Sequence, residues 1–168
     1  MPLVDLFKQS LEAVNGHCLV VHSEEEITQI LKNVGGRIAI SDAPLLKRLV
    51  NGETAPNASD IFQFDVGIST AQAAIAETGT LVLDSARERH RFVSLVPPVH
   101  IAIIDAASIF QTLSEALAFI HQNNNINPAV TFITGPSRTA DIELTLAIGV
   151  HGPQELHVII NDGPPLTN

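Results

Sequence analysis

One short stretch of the chain brings a guanidinium, several hydroxyls and a glycine–proline turn close together. It occupies residues 134–143 and reads Thr-Gly-Pro-Ser-Arg-Thr-Ala-Asp-Ile-Glu. Apolar runs flank it at residues 129–133 and 144–148. This order predicts a strand, a tight polar turn at Gly135 and then a buried helix, because glycine and proline interrupt regular structure.

The start of that predicted helix would form a site for a small anion. Ser137 or Thr139 can cap the helix, whose first amides carry positive partial charge. Arg138 lies beside them, and its planar fork can pair with both oxygens of a carboxylate. The residues expected to bind a small carboxylate or phosphate are Gly135, Ser137, Arg138, Thr139 and Asp141.

Purely structural roles stay open for the same side chains. Arg138 can instead pair with Asp141 or Glu143 in its own segment. Ser137 and Thr139 can be helix caps that contact no ligand. Asp141 can serve only to stabilise the positive end of the helix dipole.

Two further residues can move protons at a reaction centre. Glu77 lies between a predicted helix and a strand, where it can act as a general base toward a substrate hydroxyl. His151 follows the 134–148 segment, where it can act as a base or as a cation at a helix C-terminus. Both are candidate catalytic residues, with a solvated carboxylate and a structural histidine as the alternatives. His100 lies in an apolar run and is expected to be a satisfied core or strand-end residue.

Composition limits the class of protein. The 168 residues suggest one α/β domain over residues 1–168, and the 45% of hydrophobic residues are enough for a core. With 18 acidic and 9 basic side chains the net charge is −9, which is opposite to that of a typical nucleic-acid or membrane-surface binder. No apolar run approaches the roughly 20 residues that span a bilayer, and the N-terminus lacks signal-peptide features. We therefore expect a cytoplasmic protein without membrane insertion or a nucleic-acid partner.

Candidate ligands for metals and cofactors are few. Cys18 is the only cysteine, which excludes an internal disulfide and an iron–sulfur cluster held by this chain alone, since such a cluster needs about four thiolates. The seven histidines show no His-x-x-x-His spacing, so no metal site is predicted. A run at residues 87–91 contains Arg87, Arg89, His90 and Arg91. It is either a solvated loop or a contact for an anionic cofactor or an acidic partner.

Short apolar runs alternate with helix-like segments along the chain. Apolar strands separated by helices indicate a parallel sheet buried on both faces, and hence a three-layer α/β/α sandwich of the Rossmann-like type. The predicted strands are 18–22, 37–41, 65–68, 79–83, 99–104, 129–133 and 156–160. The predicted helices are 24–33, a short one after Asp42, 71–76, 108–121 and the one after the 134–137 turn. Ligands of such folds bind at the carboxyl ends of strands, so the expected site walls are the turns after Val82, Ile104, Ile133 and Ile160.

Three segments carry patterns that occur together in a known family. They are residues 66–80, 97–101 and 137–153, the last with Ser-Arg-Thr-Ala-Asp-Ile-Glu and Val-His-Gly-Pro. Together they resemble the LUD domain family, over about residues 60–162. The resemblance implies a mostly parallel sheet in a fold related to the isomerase and CoA-transferase superfamily. It also implies a role in oxidising L-lactate to pyruvate together with iron–sulfur partner subunits.

Lactate oxidation removes two electrons, and the sequence shows no carrier for them. It has neither a Gly-x-Gly-x-x-Gly after a strand nor a cluster of cysteines. The carrier is therefore expected on another polypeptide, which leaves this chain substrate binding, complex assembly or proton handling, with or without catalysis. The alternative is a free-standing enzyme or binder of a phosphorylated or CoA-bearing small molecule. It rests on the fold relation, on the Arg138 segment and on Glu77, which matches the nucleophilic glutamate of CoA transferases by fold-level analogy alone.

Overall fold

A computed structural model describes residues 2–54, 59–85, 92–123, 129–140, 146–148 and 152–166. Its helices are α1 (Leu3–Ala13), α2 (Glu24–Lys32), α3 (Pro44–Leu49), α4 (Phe92–Leu95) and α5 (Leu113–Asn123). Its strands are β1 (His17–Val21), β2 (Ile38–Ile40), β3 (Glu53–Thr54), β4 (Val66–Thr70), β5 (Ala73–Ile75), β6 (Thr80–Asp84), β7 (Val99–Asp105), β8 (Ile109–Phe110), β9 (Val130–Thr134), β10 (Arg138–Ala140), β11 (Leu146–Ile148) and β12 (Glu155–Asn161).

Six strands form the central sheet, in the spatial order β1-β12-β7-β4-β2-β3. Every neighbouring pair is parallel. The middle strands are almost continuously buried, as expected for a sheet that is covered on both faces. The register places Gly67 of β4 opposite His100 of β7, and Ser69 opposite Ala102. The parallel sheet predicted from the apolar runs is confirmed.

Helices α2 and α3 cover one face of this sheet. Ile27 of α2 and Leu46 of α3 are fully buried and belong to the same core as Ile68 of β4. Burial of one such side chain stabilises the fold by about 1.5–3 kcal/mol. Helix α2 begins where the sequence predicts, because the Ser23 hydroxyl accepts a hydrogen bond from the Glu26 amide at 3.2 Å.

Helix α1 and a small mixed sheet cover the opposite face. The mixed sheet has the order β8-β5-β6-β9, with β5–β6 and β6–β9 antiparallel. Leu11 of α1, Leu81 of β6 and Ile104 of β7 share one core. Helix α4 covers the β2–β4 side of this face, where Val93 packs with Ala39. The predicted α/β sandwich is therefore confirmed, and the mixed sheet forms part of its third layer.

Two predicted helices contain strands instead. The segment predicted as a helix at 71–76 contains β5, whose three residues are all buried and which pairs with β6. Strands β10 and β11 form an antiparallel hairpin, so the helix predicted after the 134–137 turn is wrong for their residues. Alanine exceeds most residues in helix propensity by only tenths of a kcal/mol, and strand pairing with burial outweighs that preference. Residues 141–145 of this segment lie outside the described part of the chain.

The first helix and the last helix also differ from the expectation. Helix α1 is absent from the sequence-based assignment, although Phe7 and Leu11 form a fully buried stripe along it. Helix α5 begins at Leu113 rather than Ser108, because Ile109 belongs to β8 and pairs with β5. None of the helices in the described ranges is both long and apolar enough to cross a membrane.

Candidate functional site

A cavity of about 420 Å³ lies under the turn that follows β9. Its size is within the range of about 300–1,000 Å³ that small-molecule sites occupy. We call it the turn cavity. The described residues that line it are Ser94, Leu95, His100, Phe132, Ile133, Thr134, Gly135, Pro136, Ser137, Gly152, Pro153 and Leu156. The cavity thus combines apolar walls with hydroxyls and one imidazole.

Gly67 allows α4 to form one wall of this cavity. A Cβ atom at this position would overlap the carbonyl oxygen of Val93. Gly67 lies opposite His100 in the sheet, so its missing side chain lets the α4 backbone approach the strands there. Ser94 and Leu95 of α4 then line the same cavity as the histidine.

His100 is fully buried and makes one hydrogen bond through its ring. Its Nε2 lies 2.8 Å from the Oγ atom of Ser69, its diagonal neighbour on β4. Its Nδ1 has no hydrogen-bond partner among the described residues. Burial lowers the pKa of His100 from 6.5 to about 3, so the ring is neutral near pH 7. A buried nitrogen without a protein partner is uncommon and is an obvious contact point for a ligand.

The turn over the cavity is fixed by a glycine in the left-handed region. Gly135 has a φ of 76°, and a Cβ atom there would lie 2.6 Å from the carbonyl oxygen of Val14. Both the backbone conformation and the available space therefore favour glycine. The Ser137 amide donates a hydrogen bond to the Pro153 carbonyl at 2.8 Å, which ties the far end of the turn to a second lining residue.

A chain of threonine hydroxyls joins the turn cavity to the β5–β6 hairpin. Thr134 Oγ1 lies 2.7 Å from Thr80 Oγ1, which in turn lies 2.7 Å from Thr78 Oγ1. Glu77 precedes Thr78 in the hairpin turn, where it is exposed and donates its amide to the Gln111 carbonyl at 3.2 Å. The structure thus connects the turn that follows β9 with the segment that contains Glu77. Glu77 itself is not among the described residues that line the cavity.

Arg138 makes a contact that neither sequence-based interpretation anticipates. Its Nη2 donates to the carbonyl oxygen of Val14, just beyond the end of α1, at 2.6 Å. A cation in this position satisfies a free carbonyl and interacts favourably with the negative end of the helix. Arg138 is exposed and is not one of the described residues around the cavity. Its role as a ligand contact stays a prediction.

The other predicted site residues have different outcomes. Gly135 and Ser137 line the turn cavity. Thr139 lies within β10, so Arg138–Ala140 is a strand and not the start of a helix. Neither Thr139 nor Ser137 caps a helix there, and the free helix amides predicted to bind an anion are absent from these three residues. Asp141 and His151 lie outside the described residues, as does the basic run at 87–91. The sequence therefore locates the turn but assigns the wrong element after it.

The Ser69–His100 pair is the part of the site that the sequence-based interpretation misses. That interpretation makes His100 a satisfied core or strand-end residue, whereas one of its nitrogens is unsatisfied among the described residues. The available signal is one polar residue, Ser69 or His100, within the apolar part of each of two strands. Chain order does not reveal that β4 and β7 are neighbours, because β5, β6 and α4 intervene.

The turn cavity does not lie at the carboxyl edge of the central sheet. His100 and Leu156 are the second residues of β7 and β12, near the amino ends of these strands. Val82 and Ile133 belong to β6 and β9 of the mixed sheet. The expectation of a wall at the carboxyl edge is therefore wrong for the turn after Ile133, whereas residues 86–91 of the segment after Val82 lie outside the described part of the chain.

A smaller cavity of about 230 Å³ does lie at the carboxyl edge. Its polar residues include Gln72 and Asp105. Asp105 Oδ1 accepts from the Asn161 amide group at 2.7 Å and from the Leu166 backbone amide at 3.2 Å. Gln72 Oε1 accepts from the Asp84 amide at 2.7 Å. Hydrogen bonds within the protein thus already use side-chain oxygens of Asp105 and Gln72 in the smaller cavity. The turn cavity is therefore the stronger candidate for a ligand site.

Metal and thiol chemistry have little support in the described ranges. There, no group of three or more His, Cys, Asp or Glu side chains is arranged to hold a metal ion. Cys18 is half-buried, and burial raises the pKa of its thiol from 9.0 to about 11. The reactive thiolate is therefore scarce at neutral pH.

The fold and the cavity together define an α/β sandwich with a ligand-sized space between its central sheet, its mixed sheet and α4. Residues 37–161 match the LUD domain, and the chain belongs to the LUD domain family, as its resemblance predicted. The fold is similar to the crystal structure of a DUF162 family protein from Deinococcus radiodurans. The TM-score is 0.75 at 23% identity, over 95% of this chain and 96% of that one.

The chain aligns with bacterial relatives over different shares of their length. Lactate utilization protein C of Geobacillus sp. WCH70 is 32% identical over 90% of this chain and 78% of that protein. Lactate utilization protein C of Bacillus subtilis is 30% identical over 89% of this chain and 77% of that protein. An uncharacterized protein of Neisseria meningitidis is 46% identical over 56% of this chain, which corresponds to only 41% of its own length.

Proposed function

We propose that this chain serves the oxidation of L-lactate to pyruvate as a subunit that acts with iron–sulfur partner polypeptides. It would bind a small carboxylate in the turn cavity. The proposal is supported by family membership and by relatives that carry the name lactate utilization protein C. The reaction releases two electrons, and one cysteine in 168 residues cannot hold an iron–sulfur cluster alone. A partner that accepts the electrons is therefore part of the proposal.

The turn cavity is the observation that carries the ligand-binding part of this proposal. A 2-hydroxy acid of three carbons has an apolar methyl group at one end and oxygen atoms at the other. The cavity offers the apolar side chains of Leu95 and Leu156 together with the hydroxyl of Thr134 and the ring of His100. Sites of this kind use a few polar groups in an apolar enclosure to fix the ligand orientation.

A binding measurement with the purified chain tests this part directly. L-lactate and pyruvate are titrated by NMR, with propionate as the matched acid that lacks an oxygen on C2. Ser137→Leu narrows the cavity, whereas Thr131→Leu alters a partly buried residue of β9 outside it. We expect L-lactate and pyruvate to bind the wild type and Thr131→Leu, and Ser137→Leu to lose binding. Equal binding to both variants would remove the turn cavity from the proposal.

Experiments in the native cell test the partner. The tagged chain is purified from cells grown on L-lactate, and the bound proteins are identified and analysed for iron. We expect iron–sulfur proteins to co-purify and a deletion strain to grow poorly on L-lactate. Recovery of the chain alone, with normal growth of the deletion strain, would contradict the proposal. A co-purified nucleotide or CoA would favour a free-standing enzyme or binder instead.

A further inference from the structure

We infer that His100 is the ligand contact that recognises the C2 oxygen of a 2-hydroxy or 2-oxo acid in the turn cavity, with Ser69 as the residue that positions its ring. The inference rests on the proposed function and names the chemistry of the same site. Its basis is geometric. His100 is fully buried, lines the cavity, and presents one nitrogen to Ser69 and a second nitrogen without a partner among the described residues.

The unsatisfied nitrogen makes this position unfavourable unless something binds to it. A buried polar atom that lacks a hydrogen bond loses its interaction with water and receives nothing in return. Leu156 is the register partner of His100 on the neighbouring strand, and Leu95 of α4 lines the same cavity. A small ligand that supplies one hydrogen-bonding oxygen at this depth would satisfy the nitrogen while its methyl group contacts the leucines.

The Ser69 hydroxyl allows the His100 ring to bind both lactate and pyruvate. In a neutral imidazole one nitrogen donates and the other accepts. When Ser69 donates to Nε2, the Nδ1 atom of His100 carries the proton and can donate to the keto oxygen of pyruvate. When Nε2 donates to Ser69, Nδ1 accepts and can receive the hydroxyl proton of lactate. The serine hydroxyl rotates freely enough to support either arrangement, so the pair can hold substrate and product in one place.

Replacement of His100 by glutamine or by asparagine tests the roles of its two ring nitrogens separately. Glutamine places its terminal amide near the position of Nε2, so H100Q retains the contact to Ser69 and loses the one to the ligand. Asparagine places its amide near Nδ1, so H100N retains a group for the ligand and loses the contact to Ser69. Loss of one hydrogen bond to the ligand corresponds to about a tenfold weaker affinity.

The test combines ¹⁵N NMR of the histidine rings with binding of L-lactate, pyruvate and propionate. We expect L-lactate and pyruvate to place His100 of the wild type in opposite neutral tautomers, with propionate causing neither change. We expect H100Q to bind L-lactate and pyruvate about tenfold more weakly than H100N, and propionate equally. The wild-type spectra need no variant and decide the question if a variant fails to fold.

The outcomes separate this inference from the proposed function. If L-lactate and pyruvate bind but leave the His100 nitrogens unchanged, the inference is overturned and the cavity proposal stands. The same holds if Nδ1 is satisfied by a water that the ligands do not displace. If neither acid binds at all, the ligand-binding part of the proposed function fails, and the role of His100 fails with it.

Discussion

Replacement of Gly135 by alanine probes the turn that covers the cavity. Its φ of 76° costs a residue with a Cβ about 1–2 kcal/mol. The new Cβ would also lie 2.6 Å from the Val14 carbonyl oxygen, so the two must separate by about 0.8 Å to reach the 3.4 Å of ordinary contact. Overpacking of this kind adds about 1 kcal/mol or more. We expect Gly135→Ala to lower the free energy of unfolding by about 2–3 kcal/mol.

Urea denaturation at pH 7 measures this loss. With a slope of about 2 kcal/mol per molar urea, the midpoint should fall by about 1–1.5 M. Gly35→Ala is the matched control, because no atom lies within 4 Å of the Cβ it would introduce and its φ is not positive. Gly135→Asn separates the two contributions, since asparagine tolerates the left-handed region but keeps the close Cβ. Equal midpoints for Gly135→Ala and Gly35→Ala would refute the reasoning.

Four further predictions concern other parts of the molecule. The pKa of His100 is about 3 when folded and about 6.5 when unfolded. The contribution of His100 to the free energy of unfolding is therefore fully present above pH 6.5 and is lost as the pH drops toward 3. Between pH 7 and pH 5 the wild type should lose about 2 kcal/mol more than His100→Gln in urea titrations, and parallel losses would contradict this assignment. Cys18, with its pKa raised to about 11, should react with a disulfide reagent at pH 8 about 100-fold more slowly than in the urea-unfolded chain, and similar rates would show that burial does not protect the thiol. Ser23→Ala should cost about 1 kcal/mol by removing the α2 cap, whereas Ser114→Ala on the exposed side of α5 should cost little, and the difference in urea midpoint decides. Arg138→Gln should speed amide exchange at the end of α1 several-fold through loss of the bond to the Val14 carbonyl, and unchanged exchange would mean that this contact contributes nothing to the helix.

The parallel sheet could be predicted because its signal is local. Each strand is a continuous apolar run, and turn residues separate it from a helix with an apolar stripe. Helix α2 illustrates this, since it begins at Glu24, where the predicted helix 24–33 begins, and the Ser23 hydroxyl caps it. The LUD domain could likewise be identified from short motifs, and its match over residues 37–161 confirms the resemblance.

Strands β6 and β9 of the covering mixed sheet could be predicted as apolar runs, but β5, β8 and the pairing of the sheet could not, because they depend on distant partners. The Ala73–Ile75 segment has the composition of a helix and becomes a strand only because β6 and β8 lie on either side of it. The residues after Gly135 look like a capped helix, yet Arg138–Ala140 pairs with Leu146–Ile148. The site could be located only in part for the same reason. The hydrogen bond between His100 and Ser69 joins two strands that are neighbours in the sheet but not in the sequence.

The segment before residue 16 supports the motif residues from outside the family match. The backbone of Leu11 lies against Gly79, the Val14 carbonyl lies against Gly135, and the same carbonyl accepts the hydrogen bond of Arg138. A protein shortened to residues 37–161 would therefore expose two glycine turns and leave one guanidinium without its acceptor. The family match is therefore narrower than the set of residues that supports these two turns, and any shortened version should keep the first helix.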